Sequence, residues 1–454
     1  PVNLPIQEGF QSPDADPVGL DHAASWLDIW SQQVADVHPP LYYFTLRAWR
    51  VIFGDSDAAL RSLSIVASLI SIAALYAAAE ETFDEPTALW AAALLAVSYG
   101  SIYLGREVRQ YSMLAMWGTL VLAAVARIIK RGPNWPRAIA FTLFVFGMAE
   151  THYFFVGACA AVAIYAALWL RGSKRGVILL CLFIAGLMFL CASVPFLPRQ
   201  LEMMKTISGW LAENPQGHVQ RTFLRIAALP VNQMFMIKPK LLWLAPLAGV
   251  VLIAPLFWIR RMPNLALWWL WTAGAIGVVA MSDLSKCTTQ LGKPQYTVLA
   301  IPGIVLLIAF LCRRSRWTRW AIPLIIMIAS LRTVWLMDRP DMNAWQNRHH
   351  ELAAYLGSHV QPGQAIVFLT PRSDQWWSRI MFGLYLHYNA EPTRPVAIDF
   401  IPIRPWVADQ LAPYPTLWVV TQSNVRASQV MPDRTVVSEQ TLPDLCRIAQ
   451  MRQP

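Results

Sequence analysis

Apolar positions along this chain gather into long runs separated by short polar links. Ten runs approach the roughly 20 residues that an α-helix needs to cross the hydrocarbon of a bilayer. They are 59–80, 87–105, 112–130, 137–150, 152–170, 175–196, 240–259, 264–282, 297–312 and 317–337. The run 137–150 is short enough to be a half-span or an interfacial segment. After Asp338 the pattern changes. Segments Ile366–Leu369 and Leu417–Val420 read as buried strands, and 345–359 alternates as an amphipathic helix. The predicted fold class is an α-helical polytopic membrane protein with a small C-terminal α/β domain. Its parts are a first loop with juxtamembrane helices (1–58), a helical bundle (59–338) with a long loop at 197–239, and the α/β domain (339–454).

Composition agrees with that pattern. Hydrophobic residues make up 56% of the chain and charged residues 14%, with a mean hydropathy of +0.41. Soluble proteins carry about 25% charged residues, so a disordered chain, a coiled coil and an ordinary soluble multidomain enzyme are excluded. The net charge of +10 could suggest nucleic acid. Its distribution says otherwise. Lys130, Arg131 and Arg137 share one link; Arg171, Lys174 and Arg175 share another. Arg260 and Arg261 fill a third, and Arg313, Arg314, Arg316 and Arg319 a fourth. With ten spans all four links fall on one side, which the positive-inside rule makes cytoplasmic. A wrongly counted span would throw later links to the opposite face, so their agreement supports the count. The acidic link Glu80–Glu85 falls on the same side, but Asp and Glu weigh little in this rule. The six cysteines form no C-x-x-C pair and no disulfide framework. The most the spacing allows is a Cys287–Cys446 bridge on an oxidising face.

The candidate chemistry lies in the opposite set of links. Asp36-Val37-His38-Pro39-Pro40-Leu41-Tyr42-Tyr43 places a histidine before a proline-fixed turn and an amphipathic helix that ends at Gly54. Arg106-Glu107-Val108-Arg109-Gln110-Tyr111 puts two cations and an acid at the mouth of two spans, where unpaired charge is costly. Arg109 suits a phosphate through a bidentate contact. Glu150-Thr151-His152-Tyr153, the loop from Pro195 to Glu213, and Lys293-Pro294-Gln295-Tyr296 complete the set. Each has an ordinary structural reading: an aromatic anchor, a Glu–Arg pair pinning a turn, a polar kink, an interfacial helix, a Lys/Tyr belt. Their shared side carries more weight than any one of them. There is no P-loop, and nucleotides are not available outside the cell. Chemistry there needs an energised substrate delivered through the membrane, and a lipid-phosphate-linked group meets that need.

These blocks resemble the GT-C superfamily of integral membrane glycosyltransferases. The similarity is to the branch that holds protein O-mannosyltransferases and bacterial lipid A aminoarabinose transferases. Residues 35–43 match that branch's D-x-H-P-P-L-Y-Y block. Phe53-Gly54-Asp55-Ser56 with Arg61-Ser62-Leu63-Ser64, and Arg106 to Ser112, match two more. Thr151-His152-Tyr153 and Pro195-Phe196-Leu197-Pro198 have counterparts, so the resemblance runs from about residue 14 to 375 in order.

The resemblance implies an inverting glycosyltransferase on the periplasmic face of a bacterial inner membrane. Its donor would be a sugar on polyprenyl phosphate, its acceptor a lipid, glycan or protein, its surroundings membrane lipids, with no nucleic acid. His38, Arg106, Glu107, Arg109, Tyr111, His152, Lys293 and Tyr296 would serve the donor phosphate or its pocket, with Glu107 orienting Arg109. An acid of the first loop would be the general base. The family's Asp-Glu pair follows a first span that this chain does not show, so the chain reads as starting after it. The ungapped position falls on Asp14-Ala15, with Asp16 close by; Glu8 and Asp21 are further candidates. Gln295-Tyr296 stands where the family has Arg-Tyr, with Lys293 as the substitute cation. A divalent cation, Mg or Mn, held by Asp residues and phosphate is compatible with the family's varied metal use. The alternatives are a transporter or flippase for a lipid-linked glycan, and a non-catalytic family member.

Overall fold

The computed structural model describes residues 9–10, 25–31, 38–193, 195–200, 202, 211–235, 245–313, 315–337, 344–371, 381, 396–403, 405–442 and 446–453. The chain divides into two compact units. One is Ser25–Leu336; the other is Met337–Pro454 with residues 1–24.

Among the described residues, the first unit is built mainly of helices. A short α1 (Trp26–Ser31) and an amphipathic α2 (Leu41–Phe53) precede α3 (Asp57–Thr82), α4 (Glu85–Val97), α5 (Tyr99–Gly105), α6 (Tyr111–Arg131) and α7 (Trp135–Ala149). Then come α8 (Phe155–Trp169), α9 (Gly172–Ser193), α10 (His218–Met234), α11 (Ala245–Ile253), α12 (Leu256–Ile259) and α13 (Pro263–Lys286). Two 3-10 turns, Gln290–Gly292 and Pro294–Ala300, lead into α14 (Ile301–Cys312), and α15 (Arg316–Met337) closes the unit. Local chemistry sets many of these ends. Ser56, Asp84 and Asn134 cap α3, α4 and α7 by accepting a backbone N–H of the first turn. Pro86 and Pro136 stand where a missing N–H costs nothing. Ser98 ends α4 and caps α5, and the two helices meet at a 54° bend.

Among the described residues, six helices are long and apolar enough to span a bilayer, and the bent α4–α5 pair makes a seventh. Shorter apolar helices at Trp135–Ala149, Phe155–Trp169 and Ala245–Ile259 occupy the remaining apolar runs. This is a multi-pass membrane protein. Leu265, Trp268, Trp271 and the side chains of α14 pack in the interior, while α15 turns Trp317, Ile325 and Trp335 outward. Outward apolar side chains on a span face lipid, which covers them without cost. Among the described residues of the loop 197–239 are α10, with Pro230 inside it, and the helical residues 197–200.

The basic links gather at one end of this bundle. Lys130 and Arg131 pair with Glu81. Lys174 donates to Ile129 O at 2.6 Å, Asn264 to Thr82 O at 2.8 Å, and Arg313 lies against Met262 Sδ at 3.8 Å. All six cysteines are free thiols.

The second unit carries a six-stranded sheet. Its elements are β1 (Gly9–Phe10), α16 (Ala344–His359), β2 (Ala365–Pro371), β3 (Val396–Ile401), α17 (Pro405–Leu411), β4 (Thr416–Gln422), α18 (Ala427–Val430), β5 (Thr435–Leu442) and β6 (Cys446–Arg452). The order is β1-β3-β2-β4-β6-β5. β2 is paired in parallel on both sides, and β1, β5 and β6 pair antiparallel. Alternate residues of β2 feed two separate cores, Ile366 and Phe368 on one face, Ala365, Val367 and Leu369 on the other. A strand buried on both faces is continuously apolar, which is why β2 and β4 were visible in the sequence. β3, β5 and β6 were not. β3 contains Asp399, and β5 is exposed along most of its length.

Candidate active site

At the bundle end opposite the basic links, three chain segments converge. The first is His38-Pro39-Pro40. Proline at position 40 gives α2 no side-chain cap, and Leu41 N donates instead to Glu150 O at 3.1 Å. That single backbone bond ties the first segment to the turn between α7 and α8. It brings the rings of His38 and His152 to 5.3 Å between centroids. His152 is buried, and its Nδ1 accepts the Phe154 N–H at 3.2 Å. The acceptor nitrogen carries no proton, so the neutral ring has its hydrogen on Nε2. Glu150 is buried beside it, with its carboxyl 3.3 Å from Ser193 Oγ.

The second segment is the turn 106–110 between α5 and α6. It is pinned from α3: Arg61 Nη1 donates to Arg106 O at 3.4 Å, and Ser64 Oγ donates to Glu107 O at 2.6 Å. The Arg61-Ser62-Leu63-Ser64 block thus serves the site through the backbone. Glu107 accepts from the Tyr103 hydroxyl and lies within electrostatic reach of Arg109. Arg109 is exposed and hydrogen-bonded to the Tyr111 hydroxyl.

The third segment is the 3-10 turn Pro294–Ala300. Tyr296 stands edge-on to Tyr111 at 6.4 Å and to Phe154 at 5.8 Å. Tyr111 in turn lies 5.8 Å from His152. A cationic guanidinium therefore rests at the rim of a box of rings: Tyr111, Tyr296, Phe154, His152 and His38.

Of the residues singled out from sequence, His38, Glu107, Arg109, Tyr111, His152 and Tyr296 come together here. Arg106 contributes its carbonyl to the pinned turn. Lys293 sits in the link just before the third segment. Asp14, Asp16 and Glu8, like Asp21 and Asp36, lie outside the described residues. Among the described residues, no group of three or more His, Cys, Asp or Glu side chains could hold a metal ion.

Two features escaped the sequence reading. Tyr42 is buried, its hydroxyl has no hydrogen-bond partner, and both Arg109 and Glu107 act on it electrostatically. It lay in view within the Pro-Pro-Leu-Tyr-Tyr block, read there as an anchor. The other is an ion cluster around Glu213. Its carboxylate accepts from Arg225 Nη1 and Nη2 at 2.9 and 2.7 Å, from Arg221 Nε at 2.8 Å, and contacts His218 Nδ1 at 2.9 Å. Glu213 closes a loop that the sequence singles out, but no motif marks its partners, which lie on a helix whose start folds back on the acid.

Arg225 first, then His218 and Arg221, hold the Glu213 carboxyl well below its ordinary 4.5, at about 2, against the opposing effect of burial. A lowered carboxyl stabilises the fold fully above its unfolded value, and that contribution fades as pH falls through the folded one. Glu213→Gln is therefore expected to melt below wild type near neutral pH, with the gap closing between about 4.5 and about 2. Thermal unfolding in detergent across that range checks it. A gap that stays constant to the acid end would remove the ion cluster as its cause.

A family described as dolichyl-phosphate-mannose-protein mannosyltransferase matches residues 37–198. ArnT from Cupriavidus metallidurans in the apo state superposes with a TM-score of 0.60 at 12% identity, over 93% of this chain and 92% of that one. The chain has the GT-C glycosyltransferase fold. The same bacterial ArnT bound to undecaprenyl phosphate superposes at TM-score 0.55 and 14% identity, again over 93% and 92%. An oligosaccharyltransferase from Archaeoglobus fulgidus superposes at TM-score 0.47 and 12% identity, over 85% of this chain and 59% of that one. No curated protein matches the sequence. The family match begins one residue before His38 and ends at Pro198, so the His38, 106–110 and 150–154 segments of this GT-C fold all fall inside it, and the Tyr296 segment falls outside.

Proposed function

We propose that this GT-C protein transfers a sugar from a polyprenyl-phosphate donor to a lipid, glycan or protein acceptor at the periplasmic face of the inner membrane. The single observation that carries the reading is the exposed Arg109 at the rim of the aromatic box, with the His38–His152 pair on its far side. The undecaprenyl phosphate bound by ArnT supports a lipid phosphate as the donor's carrier.

The chemistry follows from charge. An acceptor hydroxyl attacks the anomeric carbon while the bond from that carbon to the phosphate oxygen breaks. Configuration inverts, and the electron pair leaves with the lipid phosphate. Arg109 stabilises that phosphate where its charge develops, with Tyr111 and Glu107 fixing the guanidinium. The Tyr42 hydroxyl, buried without a partner beside Arg109, is a ready donor to the same anion. The acceptor proton passes to an acid of the first loop, Asp14, Asp16 or Glu8. Lys293 adds positive charge around the phosphate, and His38 offers a ring nitrogen to it.

The test is a transfer assay on the purified full chain with polyprenyl-phosphate sugars, reading lipid-phosphate release with and without an acceptor. Acceptor-dependent release with inversion at the anomeric carbon is expected. The bent α4–α5 pair is a feature that a transporter would share. Movement of the lipid-linked sugar across a vesicle bilayer without its cleavage would replace the enzyme reading with a flippase. Donor binding with neither event would mark a non-catalytic member.

A further inference from the structure

We propose that Glu213 is a positioning residue for the donor site, acting through the segment that carries Lys293 and Tyr296. The proposal rests on the functional reading above. Four contacts converge on the two oxygens of Glu213, from Arg221, Arg225 and His218 of α10. Its backbone N–H reaches the other way, to Cys287 O at 2.8 Å, and Ala212 bridges Thr288. One residue thus joins α10 to the stretch that follows α13.

That stretch needs holding. Cys287 ends α13 with φ of 49°, a left-handed conformation that a side chain disfavours. Asp283, fully buried, gathers the next residues around its carboxylate. Thr288 Oγ1 and Gln290 N donate to Oδ1 at 2.6 and 2.8 Å, and Leu291 N donates to Oδ2 at 2.9 Å. The Asp283 carbonyl is met by buried His218 Nε2 at 2.9 Å. Both ring nitrogens of His218 thus face oxygens, the Glu213 carboxylate and the Asp283 carbonyl.

The far end of α10 grips the same stretch again. Buried Gln233 donates from Nε2 to Thr297 Oγ1 at 2.6 Å, one residue beyond Tyr296. Helix α10 therefore holds residues 283–297 at both ends, like a strut. Lys293 and Tyr296 lie between the two grips. An ion cluster that only stabilised a loop would have no reason to share its helix with a second grip beside the aromatic box.

The experiment compares wild type with Glu213→Gln, Glu213→Asp and Gln233→Leu, all as full-length protein normalised to folded fraction. Two readouts are taken: KM and kcat for a polyprenyl-phosphate sugar, and hydrogen exchange of 287–297. For Glu213→Gln, donor KM is expected to rise at least tenfold with a smaller change in kcat, and protection of 287–297 to fall. Glu213→Asp should restore part of both, because its carboxylate keeps the ion pairs. Gln233→Leu, which leaves the ion cluster intact, should repeat the KM effect and stands in if Glu213→Gln does not fold. Lower thermal stability with unchanged KM and unchanged protection overturns the proposal. If wild type shows no turnover, the functional reading fails instead. Exchange at 287–297 then still reads whether Glu213 holds the segment.

Discussion

Arg109→Ala is expected to lower sugar transfer by about 100- to 1,000-fold, the usual effect of removing one preorganised donor from a site where negative charge develops. The protein should still fold, because Arg109 is exposed and the turn it sits on is held by backbone contacts from Arg61 and Ser64. Arg109→Lys should recover only part of the rate, since an ammonium keeps the charge and loses the planar fork. His38→Ala should also abolish transfer in a folded, inserted protein. The measurement is transfer per folded protein, with folding read by gel filtration in detergent. Wild-type rates in well-folded Arg109→Ala and His38→Ala would sink this assignment of the donor site.

Gly274→Ala is expected to give a large loss of stability, and Gly277→Ala on the same helix none. A Cβ at Gly274 would stand 2.3 Å from Gly157 O, and one at Gly157 would stand 2.2 Å from Gly274 O. These atoms are backbone, so α8 and α13 must move apart to admit a methyl group. Overpacking of this kind costs about 1–3 kcal/mol, and small residues at a crossing are what let two helices pack closely in a bilayer. At Gly277 a Cβ meets nothing within 4 Å. Alanine there should be neutral or better, by up to about 1 kcal/mol of helix propensity. Melting temperatures of the two variants in detergent decide the matter. Equal shifts would show that the α8–α13 contact does not hold the bundle together.

The two results probe different layers. Loss of rate at Arg109 concerns a group placed at the surface of a finished bundle. Loss of stability at Gly274 concerns the bundle that places it. The His38, 106–110 and 150–154 segments depend on α2, α5, α6, α7 and α8 keeping their register. Widening α8 against α13 would reach the site through the turn at 150–154, which α8 follows directly.

Much of this was written in the chain itself. Apolar runs of spanning length found the helices of the bundle, because in lipid a backbone must satisfy its own hydrogen bonds and a helix does so within one segment. Short motifs singled out His38, Glu107, Arg109, Tyr111, His152 and Tyr296 as candidates, since charges and histidines beside apolar spans stand out. Continuous apolar strands revealed β2 and β4 for the same reason. What the sequence could not contain was distance. Gly157 and Gly274 are ordinary small residues until two helices cross on them. Tyr42 reads as an anchor until its hydroxyl is found buried beside Arg109 with no partner. Glu213 and Arg225 carry no motif, and only the fold of α10 back upon the acid makes them a unit. Hydropathy and spacing act along the chain, so sequence determined the spans and marked the candidate segments. Close contact acts across it, so only the tertiary structure decided which of those segments meet.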